Sequence, residues 1–477
     1  MKRLAIRFDT YSCTWQLGGV AQAGELELAA GASPRGVVFE DPSAWMAPPD
    51  VVDPPVAVFS MGRTEEHPVL RGTLRTNHEV VLLGARVTHL LPGHSRISAR
   101  LGLLGLEVPA GDLLFDAVEF QVTGLSRLSG VSPLTRVQVP DAGRSSEAAY
   151  VLTLNSEVDQ TWLMPCGDTI TLRYDQEAGP LFGGHRFGVS FNPVLRVEGA
   201  ARTAEDWLDT YVRPAAQLST FALAGKQSIC WVELTNADDP HRTVQVFASD
   251  ITQEPYEADA QHGGRSEPLL RLGPGGSSLA DLLSGWRRIS AQYDIFFDYL
   301  TSSLSASMTV RARFVALLPA LESYHTVKHG AGPVTRDVFR TARKELLDRI
   351  KALKGVEPQD LKRLRDDLPM DSSYALHERL RQLADDLPPG LKARIDARVD
   401  AIPDSLGGIH PNPKDVWAIE GKARNNLAHG SERPTAEQLQ SLTFLAHTLA
   451  IGLALAELGA PDTTLATMID QEEWPIL

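Results

Sequence analysis

The spacing of the apolar residues changes once along this chain, and that change limits what it can fold into. Up to about residue 250, short runs of β-branched and aromatic residues lie between turn signals, as in Glu79–Leu91, Ala117–Gly124, Tyr150–Asn155, Thr169–Tyr174, Arg186–Phe191 and Ser228–Thr235. Asp53-Pro54-Pro55 and Leu91-Pro92-Gly93 read as turns. From Ser278 onward Leu279, Leu282, Leu283, Trp286, Ile289, Tyr293 and Phe296 recur at steps of three and four, the period of a helix face. Between the two lies 251–277, rich in Gly and Pro, with Gln261-His262-Gly263-Gly264 and Gly273-Pro274-Gly275-Gly276. The pattern predicts an α+β chain: a β-rich, sandwich-like domain over 1–250, a linker over 251–277, and an all-α helical bundle over 278–477.

Local signals place several helices. Thr203, followed by Glu205 and Asp206, caps a helix inside the β-rich half. Apolar spacing predicts a helix over Thr309–Lys328 with Pro319 as a kink, and a charged helix over Val334–Leu353 striped by Val338, Ala342, Leu346, Ile350 and Leu353. Residues 366–405 are polar and broken at Leu368-Pro369 and Leu387-Pro388-Pro389-Gly390, which suggests an insertion or regulatory lid within a charged stretch at about 331–405. Asn412-Pro413 then reads as cap and first turn of a helix that Gly430 and Pro434 stop, and Thr435–Gln438 fits a capping box opening the next. Thr448–Leu458, the most apolar stretch, is too short for a bilayer and is expected in a core.

A net charge of −14 argues against a general nucleic-acid coat protein. It leaves room for a focused site. Cys13, Cys166 and Cys230 are widely separated, which suits a reducing, cytoplasmic compartment and gives no zinc spacing. No apolar segment follows the basic Met1-Lys2-Arg3, so no signal peptide is expected. The Gly-rich linker lacks the Gly-Lys-Ser/Thr ending of a phosphate-binding loop. Asp112, Asp116 and Glu119 are weighed as a glycosidase pair and read instead as ordinary strand and loop residues.

The chemistry concentrates in Arg424-Asn425-Asn426-Leu427-Ala428-His429-Gly430, at the end of one predicted helix. A histidine moves protons near neutral pH. An arginine fork matches phosphate oxygens and stabilises charge that builds on a phosphate under attack. Asn425 can hold the phosphate or orient His429. Glu322 and His325 fall on one face of the Thr309–Lys328 helix and are candidates to support the motif from across the bundle. His329 extends that face, but Glu322, His325 and His329 read as a weak metal pattern; no metal or cofactor is assigned. Between Arg336 and Arg365 ten basic residues oppose five acidic ones, an excess of five. Arg340, Arg343, Lys344 and Lys351 are candidates for contact with an RNA backbone.

Arg424-Asn425-x-x-x-His429 resembles the signature of the HEPN ribonucleases. The whole chain resembles the ApeA-like anti-phage proteins that carry such a domain. Trp15-Gln16-Leu17-Gly18 with Gly24-Glu25-Leu26, and Val69–Leu74 with Val80–Leu83, are similar to their N-terminal domain, and Ala320–His325 to the segment opening their HEPN half. The resemblance implies a metal-independent endoribonuclease of abortive anti-phage defence. Arg424, Asn425 and His429 would cleave RNA by 2′-OH attack, and the N-terminal half would sense a phage-derived trigger. It also implies a homodimer through the helical half, because one histidine cannot be acid and base in the same step. The other readings are a non-catalytic HEPN-type dimerisation or nucleotide-binding module coupled to a ligand-binding β domain, and a carbohydrate-active β domain.

Overall fold

In a computed structural model of the protein the described residues are 8–39, 64–91, 94–105, 113–138, 151–155, 159–181, 186–236, 239–252, 268–272, 277–305, 308–330, 332–334, 336–353, 356–367, 374–401, 415–430 and 434–460. The chain divides into two compact units, Met1–Ser284 and Gly285–Leu477.

The first unit is built on strands β1 (Thr10–Leu17), β2 (Val20–Glu27), β3 (Arg35–Phe39), β4 (Thr64–Leu74), β5 (Glu79–Leu91), β6 (His94–Ser98), β7 (Leu101–Gly105) and β8 (Leu114–Val122). After the short helix α1 (Leu125–Leu128) come β9 (Leu134–Gln138), β10 (Val151–Leu154), β11 (Gln160–Leu163), β12 (Thr169–Leu181) and β13 (Arg186–Thr203). Helices α2 (Ala204–Trp207) and α3 (Arg213–Leu223), joined by a π-helical turn over Leu208–Val212, precede β14 (Ile229–Asn236) and β15 (Asp239–Ala248). Thr203 caps α2 by accepting from the Asp206 N–H, as its sequence predicts.

The expected sandwich is corrected. Among the described residues the strands form one thirteen-stranded sheet, with β9 and β10 as a separate pair. Strands β1 to β6 close on themselves: β1 pairs β2 and β4, β2 pairs β3, β3 pairs β6, and β6 pairs β5, which also pairs β4. Strand β5 makes this closure possible because one of its edges serves two partners. Glu79–Leu83 pairs β7, and the stretch from Arg86 pairs β6. Gly84, at φ +60, separates the two stretches, and that left-handed conformation suits glycine. Closure leaves the barrel without free edges. Trp15 is fully buried and donates its indole N–H to the Val37 carbonyl at 3.2 Å. A Cβ on Gly72 would stand 2.7 Å from the Trp15 ring.

Beyond β7 the sheet runs through β15, β14, β8, β13 and β12 to β11. Helix α2 packs on β8 and β13, with Trp207 donating to the Phe115 carbonyl at 2.7 Å. Part of the expected linker belongs to this unit. Leu269, Leu270 and Leu272 are buried, and the Leu269 and Leu272 N–H groups bond the carbonyls of Ala222 and Leu128. Residues 253–267 and 273–276 lie outside the described residues, as do the Asp53-Pro54-Pro55 and Pro92-Gly93 turns.

Helix α4 (Leu279–Gln292) runs across the division between the units; α5 (Asp294–Ser305), α6 (Val310–His329), α7 (Arg336–Lys351) and α8 (Pro358–Asp367) follow. The chain then enters α9 (Leu376–Asp385), α10 (Pro389–Ala401), α11 (Val416–His429) and α12 (Ala436–Glu457). Helix α6, capped by Thr309, continues through Pro319 and packs against α5, α9, α11 and α12. Helix α12 is long and apolar enough to cross a membrane, yet most of it is buried within the unit.

Helices α9 and α10, which lie in the stretch expected as an insertion or lid, are packed into the unit: Leu380, Leu383, Leu387, Leu391 and Ile395 are buried, and both helices pack on α12. Their charged residues hide an apolar stripe that the spacing carries. In the apolar stripe of α7, Val338, Leu346 and Leu353 are exposed.

Candidate functional site

Helix α11 carries the Arg-Asn-x-x-x-His segment. It begins one turn later than Asn412-Pro413, which lie outside the described residues. Asp415 is its cap, accepting from the Ala418 N–H at 3.1 Å, and Arg381 of α9 holds that carboxylate at 3.3 Å. The helix stops at Gly430, in the left-handed conformation at φ 66. Val416, Trp417, Ile419, Glu420, Ala423 and Asn426 form its buried face. Arg424 is half-exposed, and Asn425, Ala428 and His429 are exposed. The next helix opens with the predicted capping box, Thr435 and Gln438 exchanging backbone bonds.

Arg424 is held on two sides. Its Nη1 donates to Asn425 Oδ1 at 3.2 Å, and its Nη2 lies 3.8 Å from the Glu322 carboxylate on α6. The second separation is an ion pair, too long for a hydrogen bond. Asn425 is four residues before His429, so the two share a helix face one turn apart. Among the described residues His429 makes no hydrogen bond or ion pair. The group therefore has a braced guanidinium, an amide, and an exposed imidazole at the helix end. It can bind a phosphate and exchange a proton.

His325 does not join this group. It is fully buried on the seam of α6 and α9, where Nε2 faces Gln382 Oε1 at 2.6 Å and the ring contacts His329 and Tyr374. Burial pushes its pKa below the usual histidine range, against the Gln382 hydrogen bond, which raises it. His329 pairs Asp386 at 2.5 Å. Among the described residues no cluster of three or more His, Cys, Asp or Glu could hold a metal ion. Of the basic candidates, Arg340, Lys344 and Lys351 are exposed on α7, whereas Arg343 turns inward and donates to the Arg365 carbonyl on α8. Glu119, once weighed as a catalytic acid, is buried and ion-paired to Arg173 at 2.8 Å and Arg196 at 3.5 Å.

Two features near the motif escape sequence reasoning. Arg379 of α9 donates to the Glu322 carbonyl and to Thr326 Oγ1 at 2.7 Å, which brings a second guanidinium beside Glu322. Its place in the amphipathic pattern of α9 is the only signal, and that pattern does not say which helix it meets. Glu420 is fully buried one turn before Arg424, and neither carboxylate oxygen has a hydrogen-bond partner among the described residues. Burial raises its pKa well above the usual carboxylate range.

The first unit has a cleft of about 730 Å³ on the barrel, lined by Glu25, Glu27, Arg35 and Arg96 among others. No protein-family model matches the chain, and no curated protein or solved structure matches it either.

Proposed function

We propose that the chain is a metal-independent endoribonuclease of the HEPN type, acting in abortive anti-phage defence under control of its N-terminal unit. The observation that carries this reading is Arg424 braced between Glu322 and Asn425, with His429 exposed at the end of the same helix. The ribose 2′-OH attacks the adjacent phosphorus, and the bond to the 5′-oxygen breaks. Arg424 neutralises the charge that gathers on the phosphorane oxygens. His429 takes the 2′ proton or returns one to the leaving oxygen. The products are a 2′,3′-cyclic phosphate and a 5′-hydroxyl. One chain supplies one such histidine, so the complete site takes two copies meeting through the helical unit around a two-fold axis. The N-terminal unit would restrain the enzyme until a phage-derived trigger binds.

The test is single-turnover RNA cleavage. Arg424→Ala should lose roughly a hundredfold or more in rate while folding normally, as removal of a transition-state donor does elsewhere. Cleavage by Arg424→Ala at the wild-type rate would remove the reading. The barrel cleft favours a second reading, a ligand-binding β unit coupled to a non-catalytic helical dimerisation module. RNA left intact under every trigger tried, with small ligands binding the cleft, would favour that one.

A further inference from the structure

Helices α7 and α8 form a hairpin whose two sides differ in charge. The two helices pack together, and the Arg343 to Arg365 bond ties the middle of α7 to the far end of α8, which makes the pair antiparallel. Phe339, Arg343, Leu347 and Ile350 are the half-buried residues of α7, and Leu361 that of α8. They mark the seam. At about 100° per residue, Arg340, Lys344 and Lys351 fall within one narrow sector of α7, roughly a quarter turn from that seam. Lys362 is turned from the α8 seam by a similar angle in the same sense. In an antiparallel pair, equal turns put the two sets on one side. The exposed apolar Val338, Leu346 and Leu364 are turned the opposite way. Arg340, Lys344, Lys351 and Lys362 are all exposed, and none makes an ion pair among the described residues. By the same angles that side also carries Arg365 and the acids Asp337, Asp348 and Asp366, and its excess of two positive charges in a chain of net charge −14 favours a polyanion.

The topology ties this face to the motif. Helices α6 and α9 run parallel, since Glu322, His325 and His329 meet Arg379, Gln382 and Asp386 in the same order. Helix α11 runs against α9, because Arg381 meets Asp415 while Leu376 lies against Gly421. The end of α11 that bears Arg424 and His429 is therefore the end at which α9 begins. Seven peptide steps separate Asp367, the last residue of α8, from Tyr374 ahead of α9. At full extension such a segment spans at most about 25 Å, so α8 stays within that reach of the motif end.

We propose that the α7–α8 hairpin is a phosphate-binding arm, in which Arg340, Lys344, Lys351 and Lys362 hold the backbone of a single-stranded RNA whose continuation reaches Arg424 and His429. The proposal rests on the ribonuclease reading for what happens at the motif, but not for the binding itself. A single strand fits better than a duplex because 2′-OH attack needs a backbone free to align.

The experiment is fluorescence anisotropy of a labelled single-stranded RNA of mixed sequence with full-length His429→Ala, titrated across a range of salt. It is compared with the same chain carrying Arg340→Gln, Lys344→Gln, Lys351→Gln and Lys362→Gln. A control carries Arg75→Gln, Arg86→Gln, Arg96→Gln and Lys226→Gln in the first unit. Circular dichroism checks that all three fold alike. Four single-strand phosphate contacts steepen the salt slope by about 3, so between 50 and 200 mM salt the parent should lose about 50-fold more affinity than the arm variant. The control should behave as the parent. An unchanged slope in the arm variant, an equal loss in the control, or no RNA binding by the parent would overturn the arm. The same RNA is also offered to the chain with His429 intact. RNA bound through the arm but left uncut would count against the nuclease and leave the arm standing; RNA cut, with arm and parent slopes equal, would do the reverse.

Discussion

Arg424 on α11 and Glu322 on α6 form an ion pair at 3.8 Å that joins the motif helix to the central helix of the bundle. The Glu322 carboxylate is about a third exposed, so solvent screens the pair and it contributes little to stability. Its consequence is directional: one edge of the guanidinium faces Glu322, another faces Asn425, and the rest is presented outward.

Glu322→Gln should therefore separate stability from activity. The melting temperature should hardly move, because an exposed pair is worth about 0–1 kcal/mol. RNA cleavage should fall roughly tenfold, the effect of about 1.4 kcal/mol on a barrier, from a misplaced Arg424. A large loss of stability with unchanged cleavage would make the pair a structural strut.

Glu420 makes the opposite kind of prediction. Burial holds its folded pKa above the unfolded value of about 4.3. The unfolded chain thus loses this proton first, and the native state loses stability as pH rises from there through the folded pKa. Glu420→Gln should flatten that pH dependence. Glu420→Leu should stabilise the chain at neutral pH by about 1–3 kcal/mol, the cost of a buried polar group without a partner. Urea denaturation at pH 5 and pH 8 measures both. Equal slopes for wild type and Glu420→Gln would mean that the carboxyl has a partner.

In the β unit, Asp168 is the acid on which the fold leans. Burial raises its pKa, but bonds from Tyr211, Arg202 and Cys166 outweigh this and hold it below the usual range. The Arg202 bond is 2.7 Å, and a Cβ on Gly199 would fall 2.0 Å from the carboxylate. Its stabilisation is present above the unfolded Asp pKa of about 3.9 and is lost as pH falls through the folded value. Asp168→Asn leaves Arg202 without its charge partner and should cost about 3–5 kcal/mol at pH 7, read from chemical denaturation. A loss under about 1 kcal/mol would show that Arg202, stacked 4.7 Å from the Trp207 ring, needs no counterion.

What the sequence reveals here is what short-range chemistry decides. Thr203 and the Thr435–Gln438 box cap where their spacing says, and Gly430 ends the motif helix. Strand positions were legible for β5, β8 and β14; their pairing was not. The double use of one β5 edge, which turns a sandwich into a barrel, depends on partners far apart in sequence. Helix α9 was obscured because its charges dominate the composition, whereas Leu380 and Leu383 decide its packing. His325 shares a helical face with Glu322 in projection, yet it turns into the α6–α9 seam, where Gln382 offers a partner. Helical period gives a face; the neighbouring helix decides which residues of that face are buried.

The central claim is the reaction at His429. Its most direct test is cleavage of RNA by purified wild type and His429→Ala in the presence of EDTA, with the product ends mapped. The account predicts cleavage by wild type alone, leaving 2′,3′-cyclic phosphate and 5′-hydroxyl ends. Equal cleavage by both proteins, or 5′-phosphate ends lost on adding EDTA, would contradict it.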